Sequence, residues 1–335
     1  MKLCIVKLSA MGDIIHAMVV LQFIKEQRPE VQIDWIIEDG FKGVLQNNPH
    51  IDNIFPVNLK SIKKKKLEIF NQIKEINTYA KNNYDLVIDA QGLLKSAIVS
   101  KILGGRVIGS QIVGFDKDSI RESIASKFYD KGFSISYGLN KIDRNAILVS
   151  KALDIEINRE KILDKKPFLY FEDEEFDFLS KEKKNIIFVV GSSWPSKNYP
   201  KEKYLELSKK IDDNIIIVWG NEEEKSYADF IKESNDKVIV SPKLSLDQLK
   251  ALISKADLVI GNDTGPTHMA WGLNIASIML FGPTPVEQAY ETDINKVIKS
   301  NSKVNPYKLN RNDFSIKEIE VEKIYDLAIK LLGSY

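Results

Sequence analysis

The sequence predicts an α/β protein with two doubly wound, Rossmann-like domains that face a cleft. Short aliphatic and β-branched runs alternate with longer segments in which apolar residues recur every three or four positions, as expected for a parallel sheet covered by helices. This alternation occurs twice, on either side of a polar stretch. With 335 residues, of which 44% are hydrophobic, the chain is long enough for two cores.

The first half contains the predicted elements of one domain. We predict strands at 2–8, 33–37, 53–57, 84–89 and 107–109, and helices at 14–26, 61–83 and 139–153. The polar stretch that follows is rich in charge and contains Pro167, which is typical of a connection between domains. We therefore place the first domain at 1–160 and a linker region at 161–182.

The second half repeats the pattern. Strands are predicted at 185–190, 214–219, 238–240, 258–260 and 276–281, and helices at 199–211, 222–235, 246–255, 267–273 and 316–332. The second domain is accordingly placed at 183–314. A C-terminal helix is placed at 315–335 and is expected to pack back on the N-terminal domain.

Composition restricts the classes of partner and the compartment. The chain has 48 basic and 47 acidic side chains, so it has no overall field that attracts nucleic acid or an anionic membrane, and such binding must be local. Its one cysteine, Cys4, lies in an apolar run and has no partner for an internal disulfide, which favours a reducing cytoplasm. No run approaches 18 apolar residues, and Met1 leads directly into a strand. We expect a soluble protein that can still contact a membrane surface.

The stretch 256–274 is the strongest candidate for a binding site. A buried strand, a cluster of turn-forming residues and a helix follow one another, and a helix N-terminus after a strand collects anions through free N–H groups. This layout predicts a phosphate-binding turn, although an ordinary strand-to-helix turn of the fold would look the same. His268 could likewise be a buried core histidine. The candidate residues of this turn are Asp263, Thr264, Gly265, Pro266 and His268.

Three other turns follow predicted strands, at the edge of the sheet where ligands of open α/β sheets bind. Asp13 follows the first strand and is either a helix cap or a general base that takes a proton from an acceptor hydroxyl. The turn with Ser192, Ser193 and Lys197 has hydroxyls and a cation suited to a diphosphate, or is a solvated loop. The glutamates at 222–224 could accept hydrogen bonds from a ribose or cap a helix.

Several other chemistries lack their motifs. The three histidines have no HxxxH spacing, and no CxxC pair is present, so metal dependence is not implied. The nucleophile elbow G-x-S-x-G is absent, which disfavours a serine hydrolase. The first strand-to-helix turn also lacks GxGxxG, which disfavours a dehydrogenase.

Motifs along almost the whole chain resemble those of the bacterial lipopolysaccharide heptosyltransferase family. The matching segments are KLSAMGDIIHAM at 7–18, DWIIEDGF at 34–41, YDLVIDAQGLLKSA at 84–97, RESIASKFY at 121–129 and NDTGPTHMA at 262–270. The resemblance is strongest to the subgroup that adds the first heptose. It implies the glycosyltransferase B fold, with an acceptor-binding N-terminal domain and a nucleotide-sugar-binding C-terminal domain.

The resemblance also implies a reaction. In this family L-glycero-D-manno-heptose is moved from ADP-heptose to the inner Kdo of Kdo2-lipid A, with inversion at the anomeric carbon and without a metal or other cofactor. Addition of the second heptose is the alternative within the family. A sugar-nucleotide epimerase of related fold and a catalytically silent nucleotide-binding module are alternatives outside it. An epimerase would need no acceptor site, and a silent module would be expected to lack Asp13.

Residue roles are carried over by position. Asp13 matches the family's catalytic base, and Glu224 matches its ribose-binding glutamate better than Glu222 or Glu223 does. Donor contacts are implied for Ser192, Ser193, Lys197, Glu224, Asp263, Thr264, Gly265, Pro266 and His268. Acceptor contacts are implied for Lys60, Lys63, Lys64 and Arg121. The lysine run, the lysines within 60–66, could also be only a solvated helix face.

The expected partners follow from these roles. They are ADP-heptose, Kdo2-lipid A and the anionic inner-membrane surface, and no nucleic acid. The expected location is the cytoplasm, peripheral on the inner face of the inner membrane. We expect a monomer.

Overall fold

The computed structural model describes residues 1–105 and 107–333, without the side chains of Lys63 and Lys64. It contains two compact units, Met1–Tyr170 and Phe171–Tyr335. Each unit is built on one six-stranded sheet in which every neighbouring pair of strands is parallel. The predicted α/β class with two doubly wound halves is therefore confirmed.

The first unit alternates strands and helices. Its strands are β1 Lys2–Val6, β2 Gln32–Glu38, β3 Asn53–Val57, β4 Leu86–Asp89, β5 Gln111–Phe115 and β6 Lys131–Phe133. Its helices are α1 Met11–Met18, α2 Val20–Gln27, α3 Lys42–Leu45, α4 Ser61–Lys64, α5 Glu68–Tyr79, α6 Leu94–Gly104, α7 Lys141–Leu153 and α8 Arg159–Leu163. The strand order β3-β2-β1-β4-β5-β6 reverses direction between β1 and β4.

The second unit repeats this order. Its strands are β7 Asn185–Val189, β8 Asn214–Val218, β9 Ile239–Val240, β10 Leu258–Asn262, β11 Ser277–Phe281 and β12 Asn295–Lys299. Its helices are α9 Lys201–Lys210, α10 Glu222–Ser234, α11 Leu246–Ser254, α12 Gly265–Gly272 and α13 Val321–Gly333. The order β12-β11-β10-β7-β8-β9 reverses between β7 and β10. Ligands of open parallel sheets bind beyond the strand ends at such a reversal.

The central strands are buried on both faces, which explains their continuous apolar runs. All five residues of β7 and of β10 are buried, and those of β1 after Lys2 are as well. In the second unit the core extends to the end of the chain, because Val321, Ile324, Ala328 and Leu331 of α13 belong to it. The C-terminal helix thus packs on the core of its own unit. Its expected packing on the N-terminal domain stays a prediction.

Some predicted elements were wrong or missed. The strand expected at 107–109 is a turn in which Gly109 has φ +90° and Ile108 is exposed, and the neighbour of β4 is formed by Gln111–Phe115 instead. The long helix expected at 61–83 is interrupted between α4 and α5. Helices α3, α6 and α8 and strands β6 and β12 were not predicted. Strand β6 has only three residues, and α6 has little separation of polar and apolar faces.

Candidate active site

The end of β10 joins the end of β7 through Asn262. Its side-chain Oδ1 accepts a hydrogen bond from Tyr199 N at 3.0 Å, and its Nδ2 donates to Val190 O at 3.0 Å. Asn262 is fully buried, so these bonds satisfy its amide group and hold the loop after β7 against the loop after β10. Both loops carry predicted donor-binding residues.

Asp263 is the centre of a buried charged cluster immediately after β10. Its Oδ2 lies 2.8 Å from Lys197 Nζ and accepts a hydrogen bond from Thr284 Oγ1 at 2.8 Å. Its Oδ1 lies 3.1 Å from His268 Nε2. Burial raises the pKa of Asp263, but the charge of Lys197 and the interactions with His268 outweigh this and hold the pKa well below its usual value. The carboxylate therefore stays ionised and orients both Lys197 and His268.

The start of α12 lies beside this cluster. Thr264 is the N-cap residue and makes no side-chain capping bond, while Gly265 and Pro266 form the first turn. The side chain of Thr267 bonds to Asn262 O at 2.8 Å, and a Cβ at Gly261 would lie 2.5 Å from that hydroxyl. Glycine at 261 thus lets α12 approach the sheet closely. The N-terminus of a helix next to a lysine is suited to binding an anion.

Ser192 and Ser193 follow β7 and have different surroundings. Ser192 Oγ lies 2.6 Å from Asn198 Oδ1 and 2.9 Å from Trp194 O, so its hydroxyl stabilises the turn itself. Ser193 is exposed. The predicted contact of these two hydroxyls with a diphosphate stays a prediction.

Glu224 takes part in the capping of α10, whose N-cap residue is Asn221. Its Oε2 accepts from Gly220 N at 2.7 Å, its Oε1 accepts from Asn221 Nδ2 at 2.8 Å, and its own N–H donates to Asn221 Oδ1 at 3.0 Å. The side chain also packs on Gly191, where a Cβ would lie 2.2 Å from Glu224 Cγ. Glu224 is thus held between the ends of β7 and β8, whereas Glu222 and Glu223 are exposed. Capping and a ribose contact are compatible, because a carboxylate has acceptor capacity left.

Asp13 lies in the first turn of α1 in the first unit. It is partly buried, and its Oδ2 accepts from Ala10 N at 3.4 Å; Ala10, the N-cap residue of α1, makes no side-chain bond in return. Burial raises the pKa of Asp13, but the positive charges of Lys7, Lys141 and His16 together lower it below the usual value. The carboxylate is therefore available as an ionised acceptor of a proton, and it is a weak base.

The turn that carries Asp13 is tied to the turn after β4. Lys7 Nζ donates to Ala90 O at 2.8 Å, and Gln91 Oε1 accepts from both Leu8 N and Ser9 N at 3.1 Å. Asp89 in turn accepts from Gln91 N at 2.8 Å. Burial lowers the pKa of Lys7 to about 8, against the opposing effect of the Asp13 charge. These contacts fix the geometry of the turns after β1 and β4, between which the strand order of the first unit reverses.

The predicted acceptor residues lie after β3 and β5, along the same edge of the first sheet. Lys60 is exposed, and its Nζ lies 4.7 Å from the centre of the Phe41 ring. Arg121 is exposed between Ile120, which packs on Gly92, and Glu122, whose Oε2 accepts from Leu94 N at 2.7 Å. The side chains of Lys63 and Lys64 lie outside the described residues.

Sequence reasoning missed Lys7, Gln91, Thr284 and Glu38. Lys7 and Gln91 lie within segments that resemble the family motifs, but their contacts depend on which strand pairs with β1. Thr284 follows β11, next to β10, and nothing in its local sequence marks it as a partner of Asp263. Glu38 ends β2 and is 3% exposed; burial raises its pKa against the charges of Lys95 and Lys60.

Across the described ranges, no group of three or more His, Cys, Asp and Glu is arranged to hold a metal, and no helix is long and apolar enough to cross a membrane.

The chain is similar in sequence to known proteins. The model of glycosyltransferase family 9 (heptosyltransferase) matches residues 74–315. Lipopolysaccharide heptosyltransferase 1 of Campylobacter coli is 39% identical over 356 aligned residues, which cover 99% of both chains. Lipopolysaccharide heptosyltransferase 1 of Pseudomonas aeruginosa is 28% identical over 305 residues, covering 85% of this chain and 79% of its own.

The fold has a solved counterpart. The structure of the Escherichia coli heptosyltransferase WaaC with ADP superposes with a TM-score of 0.81 at 23% identity, and covers 99% of this chain and 100% of that one. The glycosyltransferase B fold expected from the sequence is thereby confirmed. The chain belongs to glycosyltransferase family 9, the heptosyltransferases, and is a glycosyltransferase enzyme.

Proposed function

We propose that this enzyme transfers L-glycero-D-manno-heptose from ADP-heptose to the inner Kdo of Kdo2-lipid A, a step of lipopolysaccharide inner-core synthesis. The similarity to lipopolysaccharide heptosyltransferase 1 over 99% of both chains supports the substrate class. The observation that carries the chemistry is the buried cluster of Lys197, Asp263 and His268 at the strand reversal of the second unit. It supplies a fixed cation next to a helix start, as a leaving diphosphate requires.

In the proposed reaction the acceptor hydroxyl oxygen attacks the anomeric carbon of the heptose. The new C–O bond forms as the bond to the diphosphate breaks, the bonding electrons leave with ADP, and the configuration inverts. The hydroxyl proton goes to the carboxylate of Asp13. Because the pKa of Asp13 is lowered, the proton moves only once the attacking oxygen has become acidic in the transition state.

The donor site is proposed to bind ADP-heptose through three groups of contacts. Lys197 and the N–H groups at Gly265 would neutralise the diphosphate as charge develops on it, and Ser192, Ser193, Thr264 and Pro266 would line the same turns. Asp263 would hold Lys197 and His268 in place rather than contact the anion itself. Glu224 would accept from the ribose hydroxyls. The charge of Lys197 would stabilise the negative charge that develops on the leaving diphosphate, as a bound metal ion can in other enzymes. We therefore propose a reaction without metal or cofactor.

The acceptor side is proposed to consist of Lys60, Lys63, Lys64 and Arg121, whose charges suit the Kdo carboxylate and the phosphates of lipid A. The same basic segment would contact the anionic inner face of the inner membrane, where the acceptor lies, at roughly 1 kcal/mol per basic residue. We propose a cytoplasmic, peripheral and monomeric enzyme.

The test is a transfer assay with purified protein and ADP-heptose. Kdo2-lipid A should become an acceptor product one heptose heavier, with ADP released in equal amount, and GDP- and UDP-sugars should not replace the donor. A product from heptosyl-Kdo2-lipid A, but none from Kdo2-lipid A, would assign the enzyme to the second heptose instead. Interconversion of the sugar nucleotide without acceptor would assign an epimerase.

A further inference from the structure

Helix α5 exposes four large apolar side chains next to the lysine run. Leu67, at its N-cap, is 77% exposed, Phe70 68%, Ile69 42% and Ile73 38%. Single exposed apolar residues are normal on a protein surface, but a contiguous group of them indicates a surface that contacts a partner or a membrane. We name these four residues the apolar patch.

The opposite face of α5 is firmly attached to the first unit. Gln72 and Ile76 are its buried residues, and Gln72 Oε1 accepts from Asn58 N at 2.6 Å. Tyr79 stacks on Phe55 with 4.4 Å between ring centres and donates to Pro56 O at 2.9 Å. Since these contacts fix the rotation of the helix, the apolar patch is held facing outward.

The spacing places three patch residues on one side. Leu67, Phe70 and Ile73 follow one another at intervals of three, which in a helix keeps side chains on a common face. Ile69 borders that face on the side of the buried residues. Lys74, four residues after Phe70, is exposed on the same face, and the exposed Lys66 directly precedes Leu67 in the chain.

The charge around the apolar patch is strongly positive. Residues 60–74 contain six lysines and one glutamate, Glu68. The second acidic residue of α5, Glu75, is bonded to Gln72 Nε2 and Tyr79 OH, on the attached side of the helix. Apolar side chains flanked by lysines on one helix face are typical of a helix that lies in the interface of an anionic bilayer.

We infer that the apolar patch of α5 inserts into the interfacial region of an anionic membrane, with the flanking lysines at the lipid headgroups. This extends the proposed membrane contact, which rests on charge alone, to a defined apolar anchor. Leu67 and Phe70, the most exposed, would enter deepest, while Ile69 and Ile73 would lie near the glycerol level. Kdo2-lipid A presented in such a bilayer would then lie beside the same segment.

The first experiment measures binding of the full chain to vesicles without any substrate. Vesicles of phosphatidylglycerol and phosphatidylcholine should bind the wild type, and pure phosphatidylcholine vesicles should bind it much less. Leu67→Ser combined with Phe70→Ser should lower the partition coefficient by about tenfold or more, because two exposed apolar side chains are lost. Ile329→Ser is the matched control, since Ile329 is an exposed apolar residue, 45% accessible, on α13 of the second unit.

A second variant tests insertion directly. The indole of Phe70→Trp should be quenched by brominated lipids and protected from iodide when anionic vesicles are added, while the native tryptophans alone should show neither effect. Wild-type binding by the serine variant, or an introduced indole that iodide still quenches on vesicles, would overturn the inference. So would light scattering in which the wild type is a dimer and the serine variant a monomer with unchanged vesicle binding, since a second copy would then cover the patch.

Failure of the proposed reaction would be seen separately. Vesicle binding needs neither ADP-heptose nor Kdo2-lipid A, so it can succeed when transfer fails. Conversely, the serine variant should turn over a detergent-dispersed acceptor at the wild-type rate and lose rate only with acceptor embedded in vesicles.

Discussion

The ammonium group of Lys197 lies 2.8 Å from the carboxylate of Asp263, and both side chains are largely buried. Breaking a buried pair leaves an uncompensated charge, which costs about 3–5 kcal/mol. We therefore expect Asp263→Ala to lower the free energy of unfolding of the second unit strongly. Lys197→Met in the same chain should recover part of that loss, and Lys197→Met alone should weaken ADP binding.

This prediction is checked by urea unfolding, followed by the fluorescence of Trp194, Trp219 and Trp271, and by titration with ADP. Lys183→Met is a suitable control, because Lys183 pairs with Asp212 in an exposed position where such pairs contribute little. If the variant with both Asp263→Ala and Lys197→Met were no more stable than Asp263→Ala alone, the two charges would not be coupled.

Asp13→Asn should retain the fold and the donor site but lose the proton acceptor. We expect kcat to fall about 10²- to 10⁴-fold, with the Kd for ADP changed less than about twofold. Because the pKa of Asp13 is lowered, wild-type kcat should stay constant with falling pH down to about 4, the ordinary aspartate range. Asp164→Asn, at an exposed position of the same unit, is the control. Turnover near the wild-type rate in Asp13→Asn would remove Asp13 from the role of base.

Gln91 is expected to position the turn that carries Asp13, since its Oε1 accepts from both Leu8 N and Ser9 N. Gln91→Met keeps the side-chain volume but removes the acceptor, so kcat should fall by about 10- to 100-fold with little change in the KM for ADP-heptose. Gln91→Glu restores an acceptor of equal reach and should recover most of kcat. A methionine variant and a glutamate variant of equal activity would contradict a positioning role.

Gly191→Ala tests the proposed ribose contact of Glu224 without changing the glutamate. A Cβ at 191 would lie 2.2 Å from Glu224 Cγ, so the side chain must leave its place between β7 and β8. We expect the KM for ADP-heptose to rise by about tenfold. At Gly220 an added Cβ would meet Glu224 Oε2 at 3.4 Å, so Gly220→Ala should have a smaller effect. Unchanged donor KM in Gly191→Ala would argue that Glu224 only caps α10.

Lys165 makes the stability of the first unit depend on pH. Its side chain is 7% exposed, and burial lowers its pKa to about 7. Because the folded-state pKa lies below the unfolded one, the unfolded chain binds more protons between about pH 7 and 10.5, and the free energy of unfolding rises with pH over that range. Its contribution to the free energy of unfolding has an upper limit of about 5 kcal/mol.

Lys165→Met should therefore be more stable than the wild type at pH 6.5, with the difference shrinking towards pH 10. Calorimetric unfolding of both proteins at these pH values checks this, with Lys161→Met, a lysine at the surface of α8, as the control. A stability difference that is independent of pH would show that Lys165 does not titrate in this range.

Local sequence was sufficient for the fold class and for most strands. Continuous aliphatic runs such as those of β1, β7 and β10 are recognisable because both faces of a central parallel strand are buried. Local sequence was insufficient where an element is short or lacks a polar face. Strand β6 has only three residues, and Val107 and Ile108 resemble a strand although Gly109 turns the chain there.

In the candidate site, too, local sequence was sufficient for some residues and insufficient for others. Asp13, Lys197 and Asp263 were predicted, because each follows a buried strand and carries a charge at a helix start or in a loop. Their partners were not. Gln91 meets Ser9 across 82 positions of sequence, and Thr284 meets Asp263 because β11 lies beside β10.

The sequence by itself determined the alternation of buried strands and helices, the turns that carry polar residues and the family motifs within them. These depend on residue type and spacing over ten to twenty positions, which hydrophobic periodicity records. Only the tertiary structure decided which turns are adjacent, that Asp263 binds Lys197, His268 and Thr284, and that the apolar patch of α5 is exposed. Strand order brings together residues far apart in the chain, and no local pattern specifies that order.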